Sequence, residues 1–401
     1  MNTIKQGYKQ TKVGIIPEDW EVVKVGEKFD FLKTYSNSRE DLNNVDEISY
    51  IHYGEIHTKH KFYIDFEKFD LPKINKSKLP NEVIFAQNGD LVIADASEDY
   101  ADIGKSAEIK NLTSKAVSGL HTFLLRDKSK NFADGYKGYL FYNETVSKNI
   151  KKIATGISVL GISKTNLSNL EIPLPSLKEQ EKIAEILTTW DEAISLHIKL
   201  IEEKEQLKIG LIQKLLSSEV RFAGFCDEWE EVRLGEIAEI YQPQTISQTE
   251  LTNEGFDVYG ANGIIGKYYQ YNHELEQIAV TCRGNTCGTV NFTKPKSWIT
   301  GNAMVINLDN STKAIKTFIY YLFLNTNFTY LISGSGQPQI TGNIKNHKLK
   351  LPLLPEQQKI AEVLSLADDE LNLLKKELEE LKQQKKGLMQ KLLTGEVRVM
   401  A

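Results

Sequence analysis

The sequence predicts a mixed α/β (α+β) protein in which two globular domains are separated by two long antiparallel coiled-coil helices, with a pseudo-twofold internal repeat. The chain has 401 residues, more than one hydrophobic core usually holds. The segment from Glu179 to Phe222 recurs without a gap from Glu356 to Val399, an offset of 177 residues. A shorter segment, Trp20–Glu27, recurs as Trp229–Glu236 at an offset of 209. Self-similarity of this kind indicates one structural unit used twice.

The longer repeated segment has the periodicity of a helix. Apolar residues recur at alternating steps of four and three in the second copy, where Lys385 is the one polar interruption. The first copy is more polar, with His197, Lys204 and Lys208 at equivalent positions. The predicted seam comprises Trp190, Ile194, Ile201, Leu211, Leu215, Ala367, Leu371, Leu374, Leu378, Leu381, Leu388 and Leu392.

A long apolar stripe needs a partner surface, and the other copy is the nearest equivalent one. We therefore predict that the two helices pack together, antiparallel, with a globular domain at each end of a rod. The alternative is that each helix folds back on its own domain. The more polar positions of the first helix are interpreted either as a departure from symmetry or as a docking site for partner proteins.

The regions between the repeats are predicted to be mixed α/β. A helix is expected over Ala314–Leu324, with a counterpart near Tyr136–Tyr142, and the glycines of Gly263–Tyr268 are expected to form tight turns. Short runs rich in strand-forming residues occur at Asp90–Ala94, His121–Leu125, Gln277–Thr281 and Met304–Leu308.

The sequence carries no recognisable catalytic motif. The Gly263–Tyr268 segment lacks the leading glycine and the Ser/Thr of a phosphate-binding loop. Cys282 and Cys287, with His273 upstream, have no second ligand pair, so they are interpreted as buried thiols and no metal is predicted. An acidic cluster is compatible with cation binding or acid–base chemistry, but a solvated loop is the preferred interpretation: Asp95, Glu98, Asp99 and Asp102.

The cellular location is predicted from features that the sequence lacks. Three cysteines are too few for a disulfide framework and indicate reduced thiols. Neither a signal peptide nor an apolar run of membrane-spanning length is apparent. A cytoplasmic location is expected.

The net charge of −5 argues at first against a nucleic-acid partner. The charge is unevenly distributed, however: Ile103–Leu170 holds 11 basic and 4 acidic residues, and Val258–Leu351 holds 9 and 3. The preceding part of each domain is acidic. Glu18–Asp102 holds 10 basic and 19 acidic residues, and Asp227–Asp257 holds 1 basic and 9 acidic residues. A positive face in each domain would suit a DNA duplex, whose phosphates attract lysine and arginine.

Candidate DNA contacts are the amide, aromatic and basic side chains of these regions, since such groups read base edges and phosphates. Each is equally compatible with an ordinary polar loop residue. The candidates are Tyr35, Asn37, Arg39, His52, Tyr53, Lys105, His121, Gln242, Gln244, Tyr259, Asn262, Arg283, Asn285, Gln337 and Gln339.

Several segments resemble the specificity subunits of type I restriction-modification systems. They are the opening GYKQTKVGIIPEDWE from Gly7, the twice-used Trp-Glu-x-Val-[Lys/Arg]-[Val/Leu]-Gly-Glu, the approach Ile172-Pro-Leu-Pro with its Glu-Gln, and the closing Gln-Lys-Leu-Leu-x-x-Glu-Val-Arg. The likeness covers almost the whole chain. It implies two target recognition domains, at 1–172 and 223–351, with conserved helical spacers at 173–222 and 352–401.

The resemblance also implies a non-catalytic subunit that reads a bipartite DNA target. Its expected partners are double-stranded DNA, two modification (methyltransferase) subunits and restriction (motor and nuclease) subunits. S-adenosylmethionine, ATP and Mg would belong to those partners, with no cofactor in this chain. The helices would act as a ruler that sets the spacer between the two half-sites.

Other interpretations remain. A specificity subunit of a related type II-like complex would share the same architecture. A chain with its own methyltransferase activity would need the Asn-Pro-Pro-aromatic motif and a glycine-rich cofactor strand, which the sequence lacks. A coiled-coil scaffold without DNA contact would be insensitive to charge reversal at Arg283, Lys294 or Lys296.

Overall fold

The computed structural model describes residues 4–334 and 338–399. It divides into two compact units: unit 1 is Met1–Leu196 with Leu378–Ala401, and unit 2 is His197–Glu377. Two long helices carry the chain from unit 1 to unit 2 and back, so each unit contains one part of each helix.

The helices are α1 Val25–Lys28, α2 Tyr53–Thr58, α3 Lys137–Leu140, α4 Glu144–Ile153, α5 Lys164–Ser168, α6 Leu177–Leu216, α7 Leu234–Ile237, α8 Lys316–Leu324 and α9 Leu354–Leu393. The strands of unit 1 are β1 Tyr8–Thr11, β2 Gly14–Pro17, β3 Glu21–Lys24, β4 Phe29–Leu32, β5 Leu42–Asn43, β6 Ile48–Ile51, β7 Phe62–Asp65, β8 Lys73–Ile74, β9 Leu91–Ala94, β10 Ala96–Ser97, β11 Ser106–Lys110, β12 Ala116–Ser118, β13 Thr122–Asp127, β14 Leu160–Gly161 and β15 Glu171–Leu174. The strands of unit 2 are β16 Glu230–Arg233, β17 Glu239–Tyr241, β18 Phe256–Gly260, β19 Gly263–Tyr268, β20 Ile278–Thr281, β21 Val290–Phe292, β22 Trp298–Ile299, β23 Ala303–Asn307, β24 Ile332–Ser333, β25 Gln339–Ile340 and β26 Lys348–Leu351.

Both units are built around the same sheet. The order β4-β13-β9-β11-β7 in unit 1 matches β17-β23-β20-β21 in unit 2. The central strands β9 (Leu-Val-Ile-Ala) and β20 (Ile-Ala-Val-Thr) are buried along their whole length. A continuous apolar run is typical of a strand covered on both faces. The prediction of a mixed α/β fold with an internal repeat is confirmed.

The four strand runs expected from the sequence are found, with shifted ends. The helix expected over Ala314–Leu324 is α8, and the one expected near Tyr136–Tyr142 is the short α3, followed by α4. The expected tight turn is confirmed at Gly263, which has a φ of +85° and closes the hairpin between β18 and β19. It is wrong for Gly266, which lies within the strand β19.

The two long helices pack together, antiparallel, within each unit. In unit 2, Lys204 pairs with Glu370 at 2.6 Å, and Lys208, one turn further along α6, pairs with Asp368, which lies earlier in α9. His197 Nε2 lies 2.8 Å from the carbonyl oxygen of Leu374. The polar positions of α6 therefore contact α9 through ion pairs and a hydrogen bond. All twelve residues of the predicted seam are buried or half-buried.

Unit 1 has an equivalent polar cluster on its helices. The Lys385 ammonium pairs with the Asp191 carboxylate, to which the Tyr139 hydroxyl donates a hydrogen bond of 2.6 Å. Lys385 Nζ also lies 3.9 Å from the ring centroid of Phe62. In unit 2, Lys208, Asp368 and Tyr321 form the same arrangement, and the Tyr321–Asp368 hydrogen bond is again 2.6 Å. The lysines and the aspartates are each related by the offset of 177.

The repeated Glu-Gln pair attaches each globular domain to the start of a long helix. The Gln180 side chain accepts from the Ala133 amide at 3.0 Å and donates to the carbonyl of Pro175 at 2.9 Å. Gln357 makes the equivalent contacts with Ile315 and with the carbonyl of Pro352. Both glutamines are fully buried. A glutamine that bonds two backbone segments in this way fixes a loop of the domain against the helix.

Helices α6 and α9 end in the same way. Ser218 and Gly395, again 177 residues apart, have left-handed φ values of 60° and 70°. The Val220 and Val397 amides each donate at 3.1 Å to the carbonyl six residues earlier, that of Lys214 and of Lys391. This is the pattern of a helix terminated by a left-handed residue, a position that glycine occupies with least strain.

Replacing Ser218 by glycine is expected to stabilise unit 2 by about 0.5–1 kcal/mol, because glycine removes the steric cost of the left-handed conformation. Chemical denaturation of the full chain measures the change. Gly395→Ser serves as the opposite control: its Cβ would lie 2.5 Å from Pro17 Cδ, so that variant should be destabilised. Loss of stability in Ser218→Gly would contradict the helix-end assignment.

The C-terminal segment is bound to the start of unit 1 through Arg398. Its guanidinium donates to Glu179 at 2.7 Å and to both oxygens of Asp19 at 2.9 and 2.7 Å. Glu179 is buried and also accepts from the Trp20 indole at 2.8 Å. Unit 2 has the corresponding Arg221–Glu356 pair, at 2.7 and 2.8 Å.

Arg398→Ala is expected to lower the free energy of unfolding of unit 1 by about 2 kcal/mol, because Glu179 would stay buried without its cation. The hydrogen bonds from Arg398 hold the pKa of Asp19 below its ordinary value of 3.8. A carboxyl with a lowered pKa stabilises the fold above that value and loses the contribution as the pH falls through its folded pKa. The difference between wild type and variant should therefore shrink below about pH 4.

Denaturation curves at neutral and acid pH check this expectation. Glu396→Ala changes an exposed side chain of the same segment and should have little effect. Equal stability of Arg398→Ala and Glu396→Ala at neutral pH would contradict the role of Arg398.

Candidate functional site

Exposed polar loops meet at the carboxyl end of the central strand in each unit. In unit 1 the Asp95 amide, directly after β9, donates to the carbonyl of His121 at 3.1 Å. In unit 2 the Cys282 amide, directly after β20, donates to the carbonyl of Asn302 at 3.0 Å. Asp95 thus corresponds to Cys282, and His121 to Asn302. We call the loops around Asp95 and His121 surface 1 and those around Cys282 and Asn302 surface 2.

Surface 1 centres on Tyr53, at the start of α2. Its ring centroid lies 4.5 Å from that of His52, 5.7 Å from that of His57 and 5.6 Å from that of His121. His121 Nδ1 is 3.3 Å from an oxygen of Asp95. Burial is the main cause that raises the pKa of Asp95 and lowers the pKa of His52. Three predicted candidates, His52, Tyr53 and His121, therefore lie together.

Lys105 extends surface 1 behind the tyrosine. Its ammonium donates to the carbonyl of His57 at 3.1 Å and pairs with Asp102 at 2.8 Å. His57 Nε2 lies 3.0 Å from the carbonyl of Ala96. Asp95 and Asp102 of the predicted acidic loop are therefore engaged by basic side chains, so the prediction of a freely solvated loop does not hold for these two. Arg39 is exposed and lies 3.5 Å from the buried carboxylate of Glu55.

Tyr50 connects the remaining candidates of unit 1 to the His121 turn. Its hydroxyl lies 2.5 and 3.0 Å from the carbonyl oxygens of Tyr35 and Asn37, which share its one proton, and it accepts from the Leu120 amide at 3.0 Å. A Cβ on Gly119 would lie 2.1 Å from the Tyr50 ring, so only glycine fits there. His121 itself has a left-handed φ of 53°, which is uncommon for a non-glycine residue.

Surface 2 is lined by amides and one arginine. Gln242 Nε2 lies 2.9 Å from the Cys282 sulfur, and Asn262 follows Ala261, whose carbonyl accepts from Thr281 Oγ1. Arg283 forms a backbone bridge with Gln339. Gln242, Gln244, Asn262, Arg283, Asn285 and Gln339 are all exposed. The candidate Gln337 lies outside the described residues.

Three candidates are buried and cannot present their side chains on either surface. The Tyr35 hydroxyl accepts from the Ile84 amide at 2.8 Å, and the Tyr259 hydroxyl accepts from the Lys294 amide at 3.1 Å. His52 Nδ1 accepts from the Gly54 amide at 3.2 Å at the start of α2. These side chains hold the loops from beneath. Asn37, Tyr53 and Lys105 are half-buried.

Sequence reasoning missed two residues of these surfaces. His57 packs against Tyr53, and its spacing of four from Tyr53 was the available signal once α2 is known. Asn302 is exposed and corresponds to His121, but no sequence repeat relates the two, because the strands that position them align only in three dimensions.

Some cations of each basic segment pair with carboxylates of the preceding acidic segment. These pairs reduce the charge separation that the sequence predicts. They include Arg126–Asp90 at 2.7 Å, Lys105–Asp102 at 2.8 Å, Lys128–Asp30 at 3.8 Å, Lys294–Asp257 at 3.0 Å, Lys313–Glu230 at 2.9 Å and Lys348–Glu231 at 2.7 Å.

The cysteines differ in exposure: Cys282 is buried, Cys287 half-buried and Cys226 exposed. Over residues 4–334 and 338–399, no group of three or more His, Cys, Asp or Glu side chains is arranged to hold a metal ion. Within the same ranges, no helix has the length and apolarity needed to span a membrane.

Comparison with known proteins identifies the family. Residues 17–206 and 226–383 match the type I restriction modification DNA specificity domain. The type I restriction enzyme MjaVIII specificity subunit of Methanocaldococcus jannaschii is 27% identical, over 98% of this chain and 97% of that protein. Two solved structures have similar folds. The S subunit of M. genitalium has a TM-score of 0.58 and 20% sequence identity, covering 93% of this chain and 96% of that one. The HsdS subunit of Thermoanaerobacter tengcongensis has a TM-score of 0.53 and 19% sequence identity, covering 95% of this chain and 98% of that one.

The chain belongs to the type I restriction-modification DNA specificity family. It is the DNA specificity subunit of such a system, and specificity subunits of this family are non-catalytic parts of the restriction enzyme complex.

Proposed function

We propose that each globular domain reads one half of a bipartite DNA sequence through its own surface, surface 1 for residues 1–172 and surface 2 for residues 223–351. The observation that carries the proposal is that both units place exposed polar loops at the same end of the same central strand. Amide, imidazole and guanidinium groups are the side chains that read base edges in the major groove. Two different sets of such groups on a repeated scaffold suit two different half-sites.

The chain directs catalytic partners to that sequence. Methyltransferase subunits, which use S-adenosylmethionine, and restriction subunits, which use ATP and Mg, supply the chemistry in this proposal. The pairing of cations with carboxylates leaves the isolated chain with weak long-range attraction to DNA, since net negative charge opposes phosphate binding. Much of the sequence-independent affinity is therefore assigned to the partners.

Binding of the complex of this chain with its methyltransferase subunits to synthetic duplexes tests the proposal. The target is first found by sequencing methylated adenines in DNA from cells that express the complex. Duplexes with both half-sites, with either half scrambled and with neither are then compared across a salt series. Loss of specific binding when either half is scrambled is expected, whereas equal binding to all four duplexes would reject the proposal.

A scaffold that does not contact DNA is the competing function. It predicts that substitutions on surfaces 1 and 2 leave the methylated sequence unchanged. A type II-like complex shares the recognition step and differs in its partners, so purification of the complex from its host with identification of the bound subunits separates the two.

A further inference from the structure

The positions of His121 and Asn302 are held by the same backbone contacts in the two units. In unit 1 the Gly119 amide donates to the carbonyl of Ile51 at 2.8 Å, and two residues later the His121 carbonyl accepts from Asp95. In unit 2 the Thr300 amide donates to the carbonyl of Tyr259 at 2.9 Å, and two residues later the Asn302 carbonyl accepts from Cys282. The next residues, Thr122 and Ala303, begin β13 and β23 opposite the last residues of β9 and β20.

Close packing makes both turns rigid. Gly119 lies against the Tyr50 ring, as described above. A Cβ on Gly301 would lie 2.6 Å from Thr245 Oγ1 and 2.7 Å from the carbonyl oxygen of Pro243. A side chain that follows so tightly packed a turn projects from a fixed backbone, which is what discrimination between similar ligands requires.

The side chains at this position differ, while the backbone hydrogen bonds that hold it are equivalent. Those of His121 and Asn302 are both exposed. His121 also adopts a left-handed φ, and strained backbone of this kind is concentrated at functional sites. A position whose backbone hydrogen bonds are repeated and whose side chain changes between two recognition domains is suited to specify what each domain reads.

We propose that His121 and Asn302 are specificity-determining residues, one for each half-site, and that each contacts a base edge in the major groove. This inference rests on the proposed function. The Asn302 amide offers one donor and one acceptor, which match the N7 acceptor and N6 amino group of adenine. His121 Nδ1 lies 3.3 Å from an Asp95 oxygen, and in the neutral tautomer with the proton on Nδ1 the free Nε2 is an acceptor that matches the exocyclic amino group of adenine or cytosine.

Asn302→Asp and His121→Asn test the two positions separately. Aspartate keeps the size of Asn302 but replaces its donor with a second acceptor, which disfavours adenine N7. Asparagine tolerates the left-handed backbone of His121 and gives unit 1 the side chain of unit 2. Asn310→Asp is the matched control, since Asn310 is also exposed and follows the other end of β23.

Each variant is expressed with the methyltransferase subunits in a host that lacks the system, and the methylated sequence is determined. Asn302→Asp is expected to change preference at one base of the second half-site by about 5- to 150-fold, and His121→Asn at one base of the first. The other half-site should stay unchanged in each case.

The inference would be overturned if the complex with Asn302→Asp methylated the same DNA sequence, to the same level, as the complex with Asn310→Asp. Uniform loss of discrimination across both halves would also overturn it. If the wild-type complex methylates a sequence with no split into two halves, the proposed function itself fails. An unchanged bipartite sequence in both variants leaves the proposed function standing and rejects the assignment of these two residues.

Discussion

Replacing Asp191 by lysine is expected to lower the free energy of unfolding of unit 1 by about 3–5 kcal/mol, because it breaks an ion pair whose lysine is buried and leaves two cations facing each other. Lys385 is only 5% exposed, and burial already lowers its pKa. Lys61 adds a second unfavourable positive charge nearby. The substitution also removes the acceptor of the Tyr139 hydroxyl. Denaturation of the full chain, followed by a probe in unit 1, measures the loss.

A double-mutant cycle separates the pair from its surroundings. Asp191→Lys combined with Lys385→Asp keeps one charge of each sign and should recover a large part of the lost stability. Glu185→Lys breaks the exposed Lys182–Glu185 pair and is the control, with an expected cost below about 1 kcal/mol. Asp368→Lys should affect unit 2 in the same way as Asp191→Lys affects unit 1. An equal cost for Asp191→Lys and Glu185→Lys would refute a structural role for the pair.

The long helices are the part of the fold that sequence predicts best. Their seam repeats every three or four residues, and the two copies share an offset of 177, so the pattern is present twice. The polar residues within that pattern were harder to interpret. Lys385 looks like an interruption in the sequence, and only the fold brings Asp191 and Tyr139 to it from 194 and 246 residues away.

The composition of surfaces 1 and 2 was predicted better than the placement of their side chains. Loops rich in amides and aromatics pointed to the segments that form these two surfaces, but whether a given side chain is exposed depends on which strands pair. Tyr259 and Tyr53 look alike as candidates, yet one supports a loop from beneath and the other lies among histidines on surface 1. Charge separation along the sequence is larger than the separation in space, because Asp257 and Lys294 are 37 residues apart in the chain but 3.0 Å from each other.

Arg283 is the residue of surface 2 whose loss should weaken DNA binding most. It is exposed, directly follows Cys282 at the end of the central strand, and its backbone is fixed by the bridge to Gln339. Over the described ranges it forms no ion pair with a carboxylate, unlike Lys294 and Lys296, which pair with Asp257 and Glu274. Its guanidinium is therefore available for a phosphate or for a guanine edge.

In complex with the methyltransferase subunits, Arg283→Ala is expected to bind the target duplex about 10- to 100-fold more weakly, as the loss of one strong contact implies. A salt series distinguishes the two kinds of contact. Loss of a phosphate contact makes the negative slope of log K against log salt less steep by about one and affects all duplexes alike. Loss of a base contact leaves the slope unchanged and relaxes one position of the second half-site.

Lys313→Ala is the matched control, because it also removes one positive charge from unit 2. Lys313 lies at the attachment of the domain to α9, where its ammonium pairs with Glu230 and its carbonyl accepts from Gln357. Net charge alone would weaken binding equally in both variants. A reversal of charge at Lys294 would be less informative, since it would also break the pair with Asp257 and disturb β18. Equal affinity of Arg283→Ala and Lys313→Ala for the target would show that surface 2 does not touch DNA through Arg283.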